Sequence, residues 1–315
     1  MTDLRTDLTW DLHDLPDQTG RRTLVTGCTV GGLGFHVALE LARRGGSVVL
    51  SGRTSSRLDE AVTAIEREVP GADTATLVVD LADLTSVRGA ATEAAAYGPI
   101  HCLVNNAGVM ATPPRRTVDG FDLQLATNHL GPFLLTGLLL PQLVESGDGR
   151  VMAVSSLMHR VANAAPVDDP RAPATRHYQR WQTYARTKLA NLLFTFELDR
   201  RLRHADLPVV ATAAHPGYAG THLVVNGQTG GLGGPVASIV HGANRAVSQS
   251  AADGALPLLM AATADIPGST YCGPGGFREL RGLPRLVGCS RRARDEHLQA
   301  RLWEVSEQAV GLAWP

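Results

Sequence analysis

Apolar positions along this chain alternate between two patterns. The short runs Thr23–Gly27, Ser47–Gly52, Ala75–Asp80 and His101–Asn105 are mostly apolar, whereas Phe35–Arg44, Ser56–Val69 and Thr85–Tyr97 between them have the length and spacing of helices. Short apolar strands joined by helices of about ten to fifteen residues indicate βαβ units and a parallel sheet. The alternation continues with a helix over Asn128–Val144, a strand over Arg150–Ser155, a polar stretch with prolines from His159 to Arg180, a helix over Trp181–Arg203 and a strand over Pro208–Ala214. A helix near Ala251–Thr263, a short strand near Ser269–Cys272 and an amphipathic helix over Asp295–Gln308 complete it. The prediction is α/β: one domain over residues 21–315, a doubly wound parallel sheet with helices on both faces, preceded by a polar lead over 1–20. No internal repeat or composition break calls for a second domain. Insertions near 157–180 and 218–250 are expected to shape a substrate pocket. Asn226–Pro235 is glycine-rich and is expected to form a mobile loop.

Composition narrows the class. With 315 residues, 44% hydrophobic and 19% charged, the chain can bury one large core. Its net charge of −1 and lack of a basic block argue against nucleic acid or an anionic membrane as partner. Cys28, Cys102, Cys272 and Cys289 form no CxxC pair and have no His cluster at metal-ligand spacing, so reduced structural thiols and no metal are expected. The polar N-terminus lacks a signal-peptide pattern, and no apolar run approaches the ~20 residues of a membrane span. The expected setting is cytoplasmic, without a membrane anchor.

Charge also picks out one residue. Of the 29 Lys and Arg residues only Lys188 is a lysine, and it follows Tyr184 by four. On a helix that spacing stacks the two side chains on one face, roughly 6 Å apart along the axis. Lysine offers a compact amine whose pKa shifts with environment, which arginine does not.

Gly27, Gly31, Gly32 and Gly34 lie between the first strand and helix, where missing side chains let backbone amides reach a pyrophosphate at a helix N-terminus. Gly27, Gly32, Leu33 and Gly34 are the expected contacts. Where NAD-preferring sites carry an acid at the end of the second strand, this chain has Arg53, whose guanidinium can clasp a 2′-phosphate. The cofactor expected of this Rossmann-type fold is therefore NADP(H). Asp80, with Leu81, ends the third strand beside the expected adenine, and Asn106, Ala107 and Gly108 follow the fourth; strand carboxyl ends are where open parallel sheets bind ligands.

Thr26-Gly27, Asn105-Asn106-Ala107-Gly108, Asn128, Ser155-Ser156, Tyr184-Ala185-Arg186-Thr187-Lys188 and Pro216-Gly217, in that order, resemble the short-chain dehydrogenases/reductases over nearly the whole chain. Asn128 to Thr136 and Lys188-Leu189-Ala190-Asn191 look like the retinol-dehydrogenase-like and protochlorophyllide-reductase-like branch, which often has a membrane anchor. The resemblance implies a tetrad of Asn128, Ser156, Tyr184 and Lys188. Tyr184 would be the general acid in carbonyl reduction, its pKa lowered by the Lys188 ammonium. Lys188 would also hold the nicotinamide ribose, Ser156 would stabilise charge on the substrate oxygen, and Asn128 would hold the helix and a water leading to solvent. Ser155 competes with Ser156, and the family pattern favours the second hydroxyl. Pro216 and Gly217, with Thr221, resemble the segment that contacts the nicotinamide carboxamide. His129, His159, His215 and His222 are read as structural or solvated.

Two departures stand out. The run Thr26 to Gly34 is one residue longer than the family's TGxxxGxG, and Tyr184 follows Ser156 at a long interval of twenty-eight positions. The leading expectation is an NADP(H)-dependent carbonyl reductase or alcohol dehydrogenase acting on a small molecule. The alternatives are a non-catalytic NADP(H)-binding sensor or scaffold, and an epimerase or dehydratase with retained nicotinamide. Relatives commonly form dimers or tetramers on helix faces, and the insertion leaves a homo-oligomer open.

Overall fold

A computed structural model of the chain describes residues 9–171, 178–218 and 249–315. Eight strands form one sheet: β1 (Arg22–Thr26), β2 (Ser47–Gly52), β3 (Thr74–Val78), β4 (Cys102–Asn105), β5 (Gly149–Val154), β6 (Val209–Ala214), β7 (Thr270–Pro274) and β8 (Pro284–Leu286). Their order is β3-β2-β1-β4-β5-β6-β7-β8. All neighbours run parallel except β8, which pairs antiparallel with β7 through Cys272 and Leu286. The strand order reverses between β1 and β4, and there a cleft opens at the carboxyl ends.

Each strand sends alternate side chains to opposite faces. Val25, Val48, Leu50, Val104 and Met152 pack under α1 (Leu33–Arg43), α2 (Ser55–Glu68) and the later helix Ala251–Thr263. Leu24, Val49, Leu103 and Val151 pack under α3 (Leu84–Ala94), α4 (Gly131–Glu145), α5 (Arg180–His204) and the last helix Glu296–Val310; these two later helices are α6 and α7. Local chemistry sets the ends: the Asp83 carboxylate caps α3 by accepting from Thr85 and Ser86 amides, and Gly311 ends α7 in the left-handed conformation.

Three features depart from the expectations. The polar lead does not stand apart from the domain, because Trp10 and Leu15 are buried in the α1-side core. β8 was not foreseen: three residues beginning with proline show no alternation and suit only an edge. The helix expected over Asn128–Val144 starts earlier, with a helical turn Leu123–Leu125 and a π-helical turn Ala126–Leu130 leading into α4. The glycine-rich segment Asn226–Pro235 lies outside the described residues.

Candidate active site

The elements bring the expected residues to one edge of the sheet. Gly27 follows β1, Asn106 follows β4, Ser156 follows β5 and Pro216 follows β6, while Tyr184 and Lys188 face them from the first turns of α5. Each strand delivers its residue because all run parallel and end on the same side.

The serines separate cleanly. Ser155 continues the strand inward, is 1% exposed and donates to the Lys188 carbonyl at 2.7 Å. Ser156 begins the next turn and accepts from the Met158 amide at 3.2 Å, and its hydroxyl acts on the Tyr184 phenol in the direction that favours the phenolate. His159 fixes that turn: its Nε2 accepts the Ser290 amide, so Nδ1 carries the proton donated to the Ser156 carbonyl at 2.7 Å. Burial lowers its pKa to about 4, which keeps the ring neutral.

Lys188 is 5% exposed, and its Nζ donates to the Val154 carbonyl at 3.0 Å and lies 5.7 Å from the Tyr184 ring centroid. Burial pulls its pKa down to about 8, leaving the ammonium mostly protonated at neutral pH. The phenol behaves differently from the expectation. Burial pushes Tyr184 up to about 12, the Ser156 hydroxyl being the opposing influence, rather than the ammonium lowering it. The phenol therefore stays protonated across the physiological range, the form in which it can give a proton away.

Asn128 sits on the π-helical turn, a distortion often found at functional sites. Its Oδ1 accepts the Val109 amide at 2.7 Å, and its Nδ2 donates to the Val109 carbonyl and to the Thr187 hydroxyl at 2.9 Å each. Thr187 in turn donates to the Tyr184 carbonyl at 2.8 Å. Asn128 thus ties the segment after β4 to the helix that carries Tyr184. Gly108 is part of the same contact: a Cβ there would lie 3.1 Å from Asn128 Oδ1 and 3.6 Å from Lys188 Nζ. Two supports went unrecognised in the sequence, Thr187 and Asn191, the latter sharing the Val154 carbonyl with Lys188. Their signal was there, as polar residues three or four positions from the pair in a largely buried helix.

The glycine turn accommodates its extra residue outward. The Gly32 amide bonds the Thr29 carbonyl at 2.8 Å, with Gly31 at φ +75° and nothing within 4 Å of where its Cβ would be. The other two glycines are crowded: a Cβ on Gly27 would meet Ala107 Cα at 2.8 Å, and one on Gly34 would meet Asn106 Nδ2 at 2.6 Å. Asn106 itself donates to the Thr26 carbonyl. Gly32 caps α1 without any side-chain hydrogen bond, so the first amides of the helix have no competing cap. Arg53 is exposed and joins no ion pair among the described residues. Asp80 uses one oxygen to accept the Ala82 amide, and Leu81 is buried with its carbonyl against Gly131. Pro216 and Gly217 form a turn at the end of β6, held by Gln249 donating to the Pro216 carbonyl. Thr221 and His222 lie outside the described residues. Among the described residues no group of His, Cys, Asp and Glu is arranged to hold a metal ion, and no helix is long and apolar enough to cross a membrane.

Comparison with known proteins places this arrangement in context. The profile of the family described as short chain dehydrogenase matches residues 21–167. Polyprenol dehydrogenase of Mus musculus is 40% identical over 303 residues, covering 94% of this chain and 86% of that protein. Retinol dehydrogenase 13 of Homo sapiens is 35% identical with the same coverages. A solved structure of an uncharacterized protein from Mycobacterium paratuberculosis has a TM-score of 0.79 and 38% identity, covering 98% of this chain and 100% of its own.

Proposed function

The chain belongs to the short-chain dehydrogenase/reductase family, and on that premise we propose that it is an NADP(H)-dependent oxidoreductase interconverting a carbonyl and an alcohol. The observation that carries the reading is the Ser156–Tyr184 hydroxyl pair beside the buried Lys188 ammonium at the sheet's carboxyl edge. Ser156 and Tyr184 present two O–H donors to one substrate oxygen, and negative charge developing there in reduction is met by both. Tyr184, protonated at neutral pH, delivers its proton to that oxygen. Lys188 holds positive charge beside the phenolate that remains, and Asn128 keeps the supporting helix in place.

NADP(H), when bound, supplies or accepts the hydride. The residues present fit such a group: glycines too crowded for any side chain line the turn, and α1 opens with uncapped amides. In this reading Gly27, Gly32, Leu33 and Gly34 hold the pyrophosphate, Arg53 the 2′-phosphate, Asp80 and Leu81 the adenine side, and Asn106, Ala107 and Gly108 the middle of the cleft. Tyr184 and Lys188 take the nicotinamide ribose, and Pro216 and Gly217, with Thr221, the carboxamide. The names polyprenol dehydrogenase and retinol dehydrogenase each specify a long apolar alcohol. Val161 and the loop residues Phe277 and Leu283 are exposed apolar side chains, with Val161 on the turn that Ser156 begins. Apolar primary alcohols and their aldehydes are accordingly the substrates to assay first.

Arg53→Ala should weaken NADPH binding by about 10- to 100-fold, the loss of one or two charge-assisted hydrogen bonds, and leave NADH unchanged. Comparable KM values for NADH and NADPH in the unaltered protein would overturn the preference. Ser156→Ala should lower kcat by about 100- to 1,000-fold, the usual effect of removing one donor to a developing oxyanion. Normal turnover by that variant would remove Ser156 from the mechanism. Tight NADPH binding with no turnover on a broad carbonyl panel would defeat the oxidoreductase reading itself.

A further inference from the structure

Behind the Ser156 turn lies a second polar cluster that proton delivery does not use. His215, the residue after β6, is wholly buried. Its Nδ1 accepts the Gly217 amide at 3.2 Å, and its Nε2 lies 3.1 Å from Glu279 Oε2. An amide can only donate and an ionised carboxylate can only accept, so the two contacts together specify a neutral ring with its proton on Nε2. Burial lowers the pKa of His215; burial alone would raise that of Glu279, but contact with His215 and Arg160 together outweighs it and holds the carboxyl below its usual range.

Glu279 reaches in two directions. Both of its oxygens accept from Arg160 Nη2, at 2.8 and 2.9 Å, and Arg160 also donates to the Gly288 carbonyl. Arg160 belongs to the turn that starts at Ser156, whereas His215 leads into Pro216 and Gly217. The backbone is strained to put the carboxylate there: Arg278 and Glu279 are consecutive non-glycine residues at φ 51° and 58°. Its neighbour Phe277 is 78% exposed, so the turn sends an apolar ring outward and a carboxylate inward. A second tie runs alongside, from the Tyr218 amide to the Leu280 carbonyl at 2.8 Å. Gly273 makes room for the ring, since a Cβ there would lie 2.1 Å from His215 Nε2.

We propose that Glu279 is a positioning residue: by holding His215 as the Nε2–H tautomer and clasping Arg160, it sets the Pro216–Gly217 turn relative to the Ser156 turn. The consequence for turnover rests on the reading above, that Pro216–Gly217 faces the nicotinamide and Ser156 the substrate. The tautomer assignment does not.

Glu279→Gly tests it, because glycine suits the left-handed backbone and removes only the side chain. Without the carboxylate the ring can move its proton to Nδ1, which cannot accept the Gly217 amide. Hydrogen exchange at Gly217 in the cofactor-free protein should then accelerate by about 10-fold or more, the effect of losing one buried hydrogen bond. NADPH affinity and kcat should each fall about 10- to 100-fold, as expected for a displacement of up to 1 Å in the site. Glu279→Gln keeps an oxygen able to accept from Nε2–H, and should restore slow exchange and most of the cofactor affinity. Unchanged Gly217 exchange in Glu279→Gly, or unchanged kcat and NADPH affinity in a variant whose exchange rose, would overturn the proposal. If the unaltered protein proves inactive on every carbonyl while Gly217 exchange still responds to Glu279, the positioning role stands and the oxidoreductase reading falls.

Discussion

Tyr184→Phe is expected to lower kcat by about 100- to 10,000-fold with the fold intact, the span usual for loss of a general acid. Phenylalanine fills the same buried space and leaves the Ser156 turn, with its Met158 amide bond, in place. Single-turnover hydride transfer should collapse while NADPH affinity falls by no more than about 10-fold, the loss of one hydrogen bond to the ribose. A rate within a few-fold of the unaltered protein would show that the proton comes from elsewhere. The raised pKa adds a direction to the pH profile. A phenol near 12 is protonated throughout the neutral range, so carbonyl reduction should be nearly level from about pH 6 to pH 7 and then fall as Lys188, with a pKa of about 8, loses the charge that meets the phenolate. Alcohol oxidation, which needs the phenolate, should rise with pH between about pH 6 and pH 9.

Lys188→Arg should cost on the order of 100-fold or more in kcat, although the charge is conserved. The amine occupies a narrow place, with the Val154 carbonyl at 3.0 Å, Asn191 on the same carbonyl and Gly108 close by. A planar guanidinium cannot settle there without moving one of them, and the phenol would lose its registered neighbour. Lys188→Met separates this effect from stability. Burial lowers the lysine's folded pKa from 10.5 to about 8, so the unfolded chain binds more protons between those values. The charged amine therefore destabilises the fold below pH 8, and that penalty fades as pH rises towards the unfolded value. Methionine removes the penalty, so this variant should melt no lower than the parent near neutral pH while losing turnover. Near-normal activity in either variant would make the lone lysine incidental.

Much of the architecture was legible in apolar patterning, because β1, β2, β4, β5 and β6 are largely buried on both faces and their runs are nearly unbroken by charge, while β3, at the sheet edge, is only partly buried. Tyr184 and Lys188 were legible through helical spacing, and the glycine turn through its position between strand and helix. What escaped were features that depend on distant partners. Trp10 sits in a polar lead whose burial is set by α1, and β8 exists only because β7 offers an edge. The π-helical turn at Asn128 leaves no periodic trace. Glu279 is a single acid 64 residues from His215 in the chain, joined to it by a backbone conformation that nothing in its neighbourhood announces. The serine pair shows the same limit at short range: both hydroxyls fit the motif, and only the strand's end decides which one turns inward.

The solitary lysine has one more consequence, for proteolysis. A protease that cleaves only after lysine has a single bond to attack in this chain, Lys188–Leu189, and that bond lies within α5 with both residues buried. Cutting must wait for the helix to open, and yields two fragments, 1–188 and 189–315. The rate of that one cut under native conditions reads the free energy of opening this helix directly, so ligands that grip the site can be ranked by how far each one slows it.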